Sequence, residues 1–216
     1  ELDLRDVQGH NFGLLAEGDI DGTGTIIISS SNYFPDGDFG DFLGAGGGTV
    51  EYRATGADIT MPTSPVEYNN LVLTATGTHY VTMPNTNIQV FGDLTSSGES
   101  NNYYNRFNTA AATHTVTVDG KLNVESGTLA FYSYSAQNLI VKGDVNVASG
   151  AYFNIKRNAN FTNQLTIYGS MNVDGELNFV NGNQEVATTF TGTADASIKG
   201  AGNITLYTLT CDKGSN

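Results

Sequence analysis

The chain repeats itself. A pattern of alternating apolar residues broken by a central glycine, apolar-x-apolar-x-Gly-x-apolar-x-apolar, runs from Val116 to Val124 around Gly120, from Leu139 to Val147 around Gly143, and from Leu165 to Val173 around Gly169. A partial copy from Ile88 to Leu94 surrounds Gly92, and a weaker one from Ile198 to Ile204 contains Gly200. These glycines stand 28, 23, 26 and 31 residues apart. A recurrence whose period drifts by a few residues is the mark of stacked β-coils, because an insertion at a coil corner changes the count without changing the stack. At about 25 residues per coil, the chain forms roughly eight coils of an all-β solenoid.

The alternation assigns the side chains. Val, Ile, Leu and Met face inward and stack on their equivalents in the next coil at about 4.8 Å, while Thr, Asn, Asp and Lys lie between them. By the same count Gly92, Gly120, Gly143 and Gly169 fall in the inward register, where they leave room for a corner or bulge that a Cβ would crowd. Asn123, Asn146 and Asn172 occupy one position in three successive copies. They are either outward polar residues or an amide-to-amide ladder along the stack, and the sequence leaves both readings open.

Turn dipeptides follow each copy: Ser126-Gly127, Ser149-Gly150 and Asp174-Gly175, where glycine supplies the positive φ. Each leads into a second strand carrying Phe131, Phe153 or Phe179. Core stacking is the expectation for these rings, with an exposed platform for sugars as the other reading. The first third is less regular. Residues 1–20 are read as a cap over one end, and residues 31–47 and 99–109 as loop insertions. The whole of 1–216 is read as one β-helix domain or a fragment of a longer one.

Composition narrows the function. Charged residues are only 14% of the chain, while glycine accounts for 26 residues, a profile that suits β-coils with tight turns and not a helical bundle. A net charge of −13 opposes a duplex nucleic acid or an anionic membrane as partner, and no apolar run approaches the ~18 residues of a membrane helix. The single cysteine, Cys211, has no internal disulfide partner. The chain starts at Glu1 without a signal-peptide core and is read as a mature or excised segment.

The segments Gly22–Ile26, Phe42–Tyr52, Tyr68–Leu73 and Gly143–Gly150 resemble the repetitive β-helical regions of large secreted and cell-surface proteins of Bacteroidota, the cargo of type IX secretion. The likeness spans roughly residues 20–205. It implies a right-handed, single-stranded parallel β-helix, secreted or held at a bacterial cell surface. The partners it implies are the secretion machinery or cell-surface components, in a stalk, fibre or adhesin.

Candidate chemistry is sparse. β-Helices also host polysaccharide lyases and glycoside hydrolases, which makes a polysaccharide-active enzyme the competing class. The Asn-Thr-Asp, Asp-Asp and Gly-His-Gly motifs of a β-helical hydrolase do not occur here, and a lyase needs a base beside Ca²⁺-binding acids. Asp36, Asp38 and Asp41 share a glycine-rich loop and are the candidate Ca²⁺ ligands, with Asp19 and Asp21 as possible additions. Otherwise no cofactor is expected. Tyr103, Tyr104, Tyr132 and Tyr134 are the candidate glycan contacts, and neighbouring copies of the chain are a further class of partner. The reading is a non-catalytic structural or adhesive segment.

Overall fold

The computed structural model describes residues 1–12, 20–107, 111–132, 134–157 and 160–214. The chain winds as a β-solenoid of about eight turns, and from Thr49 onward most coils lay one short strand on each of three parallel sheets. The first face has nine strands, among them Thr49–Ala54, Leu122–Val124 and Val145–Val147. The second face has seven, including Asn105–Arg106, Thr128–Phe131 and Tyr152–Ile155. The third includes Thr115–Val118, Asn138–Val141 and Thr162–Ile167. Pairing between coils is parallel throughout the described strands. The one antiparallel pair is a local hairpin, Val180 to Glu185, that turns at Gly182.

Register makes the core. On the first face Ile26, Val50, Leu71, Leu94, Leu122, Val145 and Met171 pair in turn from coil to coil, and all are buried. Their partners at the two ends, Leu2 and Ile198, are 43% and 39% exposed. A slip of one residue would turn such a column outward, so burial fixes the register. On the second face a column of rings fills the interior. Phe107 stacks on Phe131 at 4.7 Å and Phe131 on Phe153 at 5.6 Å, and Phe179 meets Phe153 edge-on at 5.0 Å. Tyr52 and Tyr68 form a second buried ring pair.

The glycines work differently from the expectation. Gly92, Gly120, Gly143 and Gly169 sit half-buried at the corner between the third and first faces, not in the apolar interior. Three of them donate their N–H to the glycine carbonyl of the preceding coil, Gly120 to Gly92 at 2.9 Å, Gly143 to Gly120 at 2.8 Å and Gly169 to Gly143 at 3.2 Å, while Gly92 donates to the Asn69 carbonyl at 2.7 Å. A Cβ on Gly143 would lie 2.5 Å from the Gly120 carbonyl oxygen. What it would crowd is therefore the neighbouring coil's backbone.

One further expectation needs correction. Residues 99–109 are not wholly an insertion, because Asn105–Arg106 is a strand of the second face paired to Val81–Thr82 and Leu129–Ala130. The sequence disguises it with a fully buried polar residue. Asn105 points its amide at the Leu73 carbonyl, Ser96 Oγ and the Ser97 carbonyl, at 2.8–2.9 Å. Residues 108 and 109 lie outside the described residues. Within 1–20, Leu2–Asp3 is a strand that continues the first face, and residues 13–19 lie outside the described residues. The 31–47 segment also packs on the core: its one-turn helix Gly40–Leu43 buries Phe42 beside Phe39, which Phe12 of the N-terminal segment meets edge-on at 5.9 Å.

Candidate functional site

The third corner residue of the repeat supplies a support that sequence reasoning missed. Asn70, Asp93 and Asp144 each follow or occupy a glycine corner and accept a backbone N–H from the next coil. The pairs are Asn70 Oδ1 with Asp93 N at 2.9 Å, Asp93 Oδ1 with Lys121 N at 2.7 Å, and Asp144 Oδ1 with Ser170 N at 2.8 Å. On the adjoining strands the three asparagines form a ladder: Asn146 Nδ2 donates to Asn123 Oδ1 at 2.8 Å, and Asn172 Nδ2 to Asn146 Oδ1 at 2.7 Å. The ladder lines a shallow groove of about 270 Å³ with Glu125 and Asp174 at its rim. The Asn146 amide is engaged at both ends, by Asn123 and Asn172, which makes the row a link between three coils.

The candidate calcium loop is not gathered. Asp36 is exposed, and its backbone bridges to the N-terminal segment through Phe12 N–H and the His10 carbonyl. Asp38 Oδ1 accepts the Gly40 N–H at 3.1 Å, and Asp41 sits exposed in the first turn of the short helix. Among the described residues no three His, Cys, Asp or Glu side chains come together as a metal-holding group. Asp19 lies outside the described residues.

The tyrosines, in contrast, converge. Register explains how. Tyr80 and Tyr104 immediately precede strands paired residue for residue, Val81 with Asn105 and Thr82 with Arg106, so their rings meet one coil apart at 5.0 Å. Tyr103 lies 5.4 Å from Tyr80, and Tyr132, one coil further, lies 5.9 Å from Tyr104. Tyr134 extends the group outward and is 56% exposed.

Cations interleave with these rings. The Arg106 guanidinium lies 4.5 Å from the Tyr80 centroid and 5.0 Å from that of Tyr132, and its Nε donates to Thr82 Oγ1 at 2.8 Å. Arg157 stacks 3.4 Å over Tyr134 and 5.8 Å from Tyr132, while Lys156 Nζ sits 5.8 Å over Tyr104. Such contacts hold a cation in place at roughly 0.5–2 kcal/mol each. The result is a ledge across four successive coils of the second face.

Burial sets its protonation. Loss of solvent, helped by the Tyr132 and Tyr80 hydroxyls, pushes Tyr104 up to about 12 against the opposing pull of Arg106. Burial also raises Tyr80, which is half-buried, and lowers Lys156, whose neighbour Glu176 acts in the opposite direction. Near neutral pH the Tyr80 and Tyr104 phenols therefore remain hydrogen-bond donors. Sequence reasoning named four of these tyrosines but not Tyr80, Arg106, Lys156 or Arg157. The signal it lacked was the coil register that sets residues 80, 104 and 132 beside one another.

No protein-family model, curated protein or solved structure matches the chain.

Proposed function

We propose that this chain is a non-catalytic adhesive scaffold: a rigid solenoid segment of a secreted or cell-surface bacterial protein that contacts glycans through the tyrosine ledge of its second face. The observation that carries this reading is the convergence of Tyr80, Tyr103, Tyr104, Tyr132 and Tyr134 on three successive coils. Aromatic side chains present a large contact area at low entropic cost. Here they are mounted on sheet strands whose positions are set by backbone pairing and by a packed ring column beneath. A ledge on such a support is already organised before a ligand arrives.

Support for a scaffold comes from polar groups that hold coils together. The asparagine row and the corner aspartates bond to neighbouring coils, and Glu51 is engaged by Arg53 at 2.7 Å and by Thr74 at 2.7 Å. An enzyme acting on polysaccharides instead requires acid and base groups converging on one bond.

The test is incubation with a panel of neutral and acidic polysaccharides, with and without Ca²⁺, scored both for retention and for released products. Retention without unsaturated or reducing-end products is the expected result. Products that disappear with chelator would overturn the scaffold reading and return attention to Asp36, Asp38 and Asp41.

A further inference from the structure

The charge of the ledge stands apart from the charge of the chain. The protein carries nine Lys and Arg against 22 Asp and Glu, yet Arg106, Lys156 and Arg157 gather on one patch. Glu176 near Lys156, and Asp58 near Tyr80, are the acidic groups that act on it. A polyanion approaching this molecule meets repulsion over most of the surface and attraction here, which fixes where it can dock.

The geometry specifies the kind of anion. A guanidinium stacked flat on a ring keeps its in-plane N–H groups pointing outward, in the fork that matches a carboxylate or sulfate. Arg157 is stacked in this way, and its Nε is buried without a hydrogen-bond partner among the described residues. Beside it Tyr132 and Tyr134 add phenolic donors.

The same stacking weighs against nucleic acid. Bases of a single strand bind by lying on open ring faces, and here Arg106 and Arg157 each already cover a face of Tyr80, Tyr132 or Tyr134.

We propose that the ledge formed by Arg106, Lys156, Arg157 and the surrounding tyrosines binds an anionic polysaccharide, one bearing carboxylate or sulfate groups. Arg157 supplies the principal fork and Arg106 a second contact one or more coils away. This deepens the glycan-contact reading above and rests on it.

The experiment is affinity electrophoresis of the intact chain through gels containing polygalacturonate, dextran sulfate or unmodified dextran, with oligothymidylate as a separate competitor. Retardation by polygalacturonate or dextran sulfate and not by dextran is expected, and whichever of the two is stronger identifies carboxylate or sulfate. Arg157→Gln should weaken binding about tenfold or more, the loss of one charge-assisted bond, with a thermal midpoint close to that of the parent. Arg106→Gln should weaken it as well, and raising NaCl should release the bound chain. Equal retardation by dextran would overturn the charge inference while leaving the glycan contact standing. Release by oligothymidylate more readily than by sulfated oligosaccharide would overturn it in favour of nucleic acid. Unchanged binding in both arginine variants would place the site elsewhere and overturn it. No retardation in any gel would overturn this inference and the glycan-contact reading together.

Discussion

Asn146 donates to Asn123 at 2.8 Å and accepts from Asn172 at 2.7 Å, so one side chain joins three consecutive coils. Removing it breaks two bonds, while removing Asn123 breaks only one. Asn146→Ala should therefore cost about 1–2 kcal/mol and Asn123→Ala about half of that, since a net amide bond contributes about 1 kcal/mol. Urea unfolding of the two variants side by side checks the order.

The glycine corner makes a sharper prediction. Gly143→Ala places a methyl group 2.5 Å from the Gly120 carbonyl oxygen and 2.8 Å from its carbon, both backbone atoms that move only if the coils part. The expected loss is about 1–3 kcal/mol or more. Gly56→Ala, where nothing lies within 4 Å, is the control and should leave the midpoint nearly unchanged.

Phe131 touches Phe107, Phe153 and Phe179 at once, at 4.7, 5.6 and 6.2 Å. Phe131→Ala should cost about 3–5 kcal/mol, the usual range for emptying a buried ring site. Leucine at this position should recover much of the loss. The comparison is read from denaturant midpoints at constant m-value.

High pH should unfold the chain through its buried phenols. Burial pushes Tyr68 up to about 12, with the Tyr52 hydrogen bond acting slightly the other way, and burial raises Tyr52 further still. A phenol that ionises near 10 when unfolded and near 12 when folded keeps its full stabilising effect below pH 10. That effect is lost as the pH rises through 12. For Tyr68 the loss is on the order of 2–3 kcal/mol. Thermal midpoints at pH 9, 10 and 11 should fall progressively, and Tyr68→Phe should flatten the fall.

The repeat was legible because its apolar alternation is strict wherever a strand faces an apolar column. Val116, Val118, Leu122 and Val124 announced both faces of their coil without help from structure. The strand Asn105–Arg106 was hidden because its inward residue is an amide, satisfied by Leu73, Ser96 and Ser97 from other parts of the chain. No local pattern reveals a polar residue whose partners are remote. The role of Gly143 was misjudged for a related reason, since alternation counts faces within one coil and is blind to the coil beneath. The tyrosine ledge was half visible: the rings were conspicuous in sequence, but the cations joined them only through the register of successive coils.

The hydrogen bonds of the asparagine row connect residues 23 and 26 positions apart, and each coil is held mainly by the coil on either side of it. Pulled along its axis from opposite ends, such a molecule has no need to fail all at once. One coil can peel away while the rest stay wound, and a coil of that length pays out roughly 75–90 Å of contour.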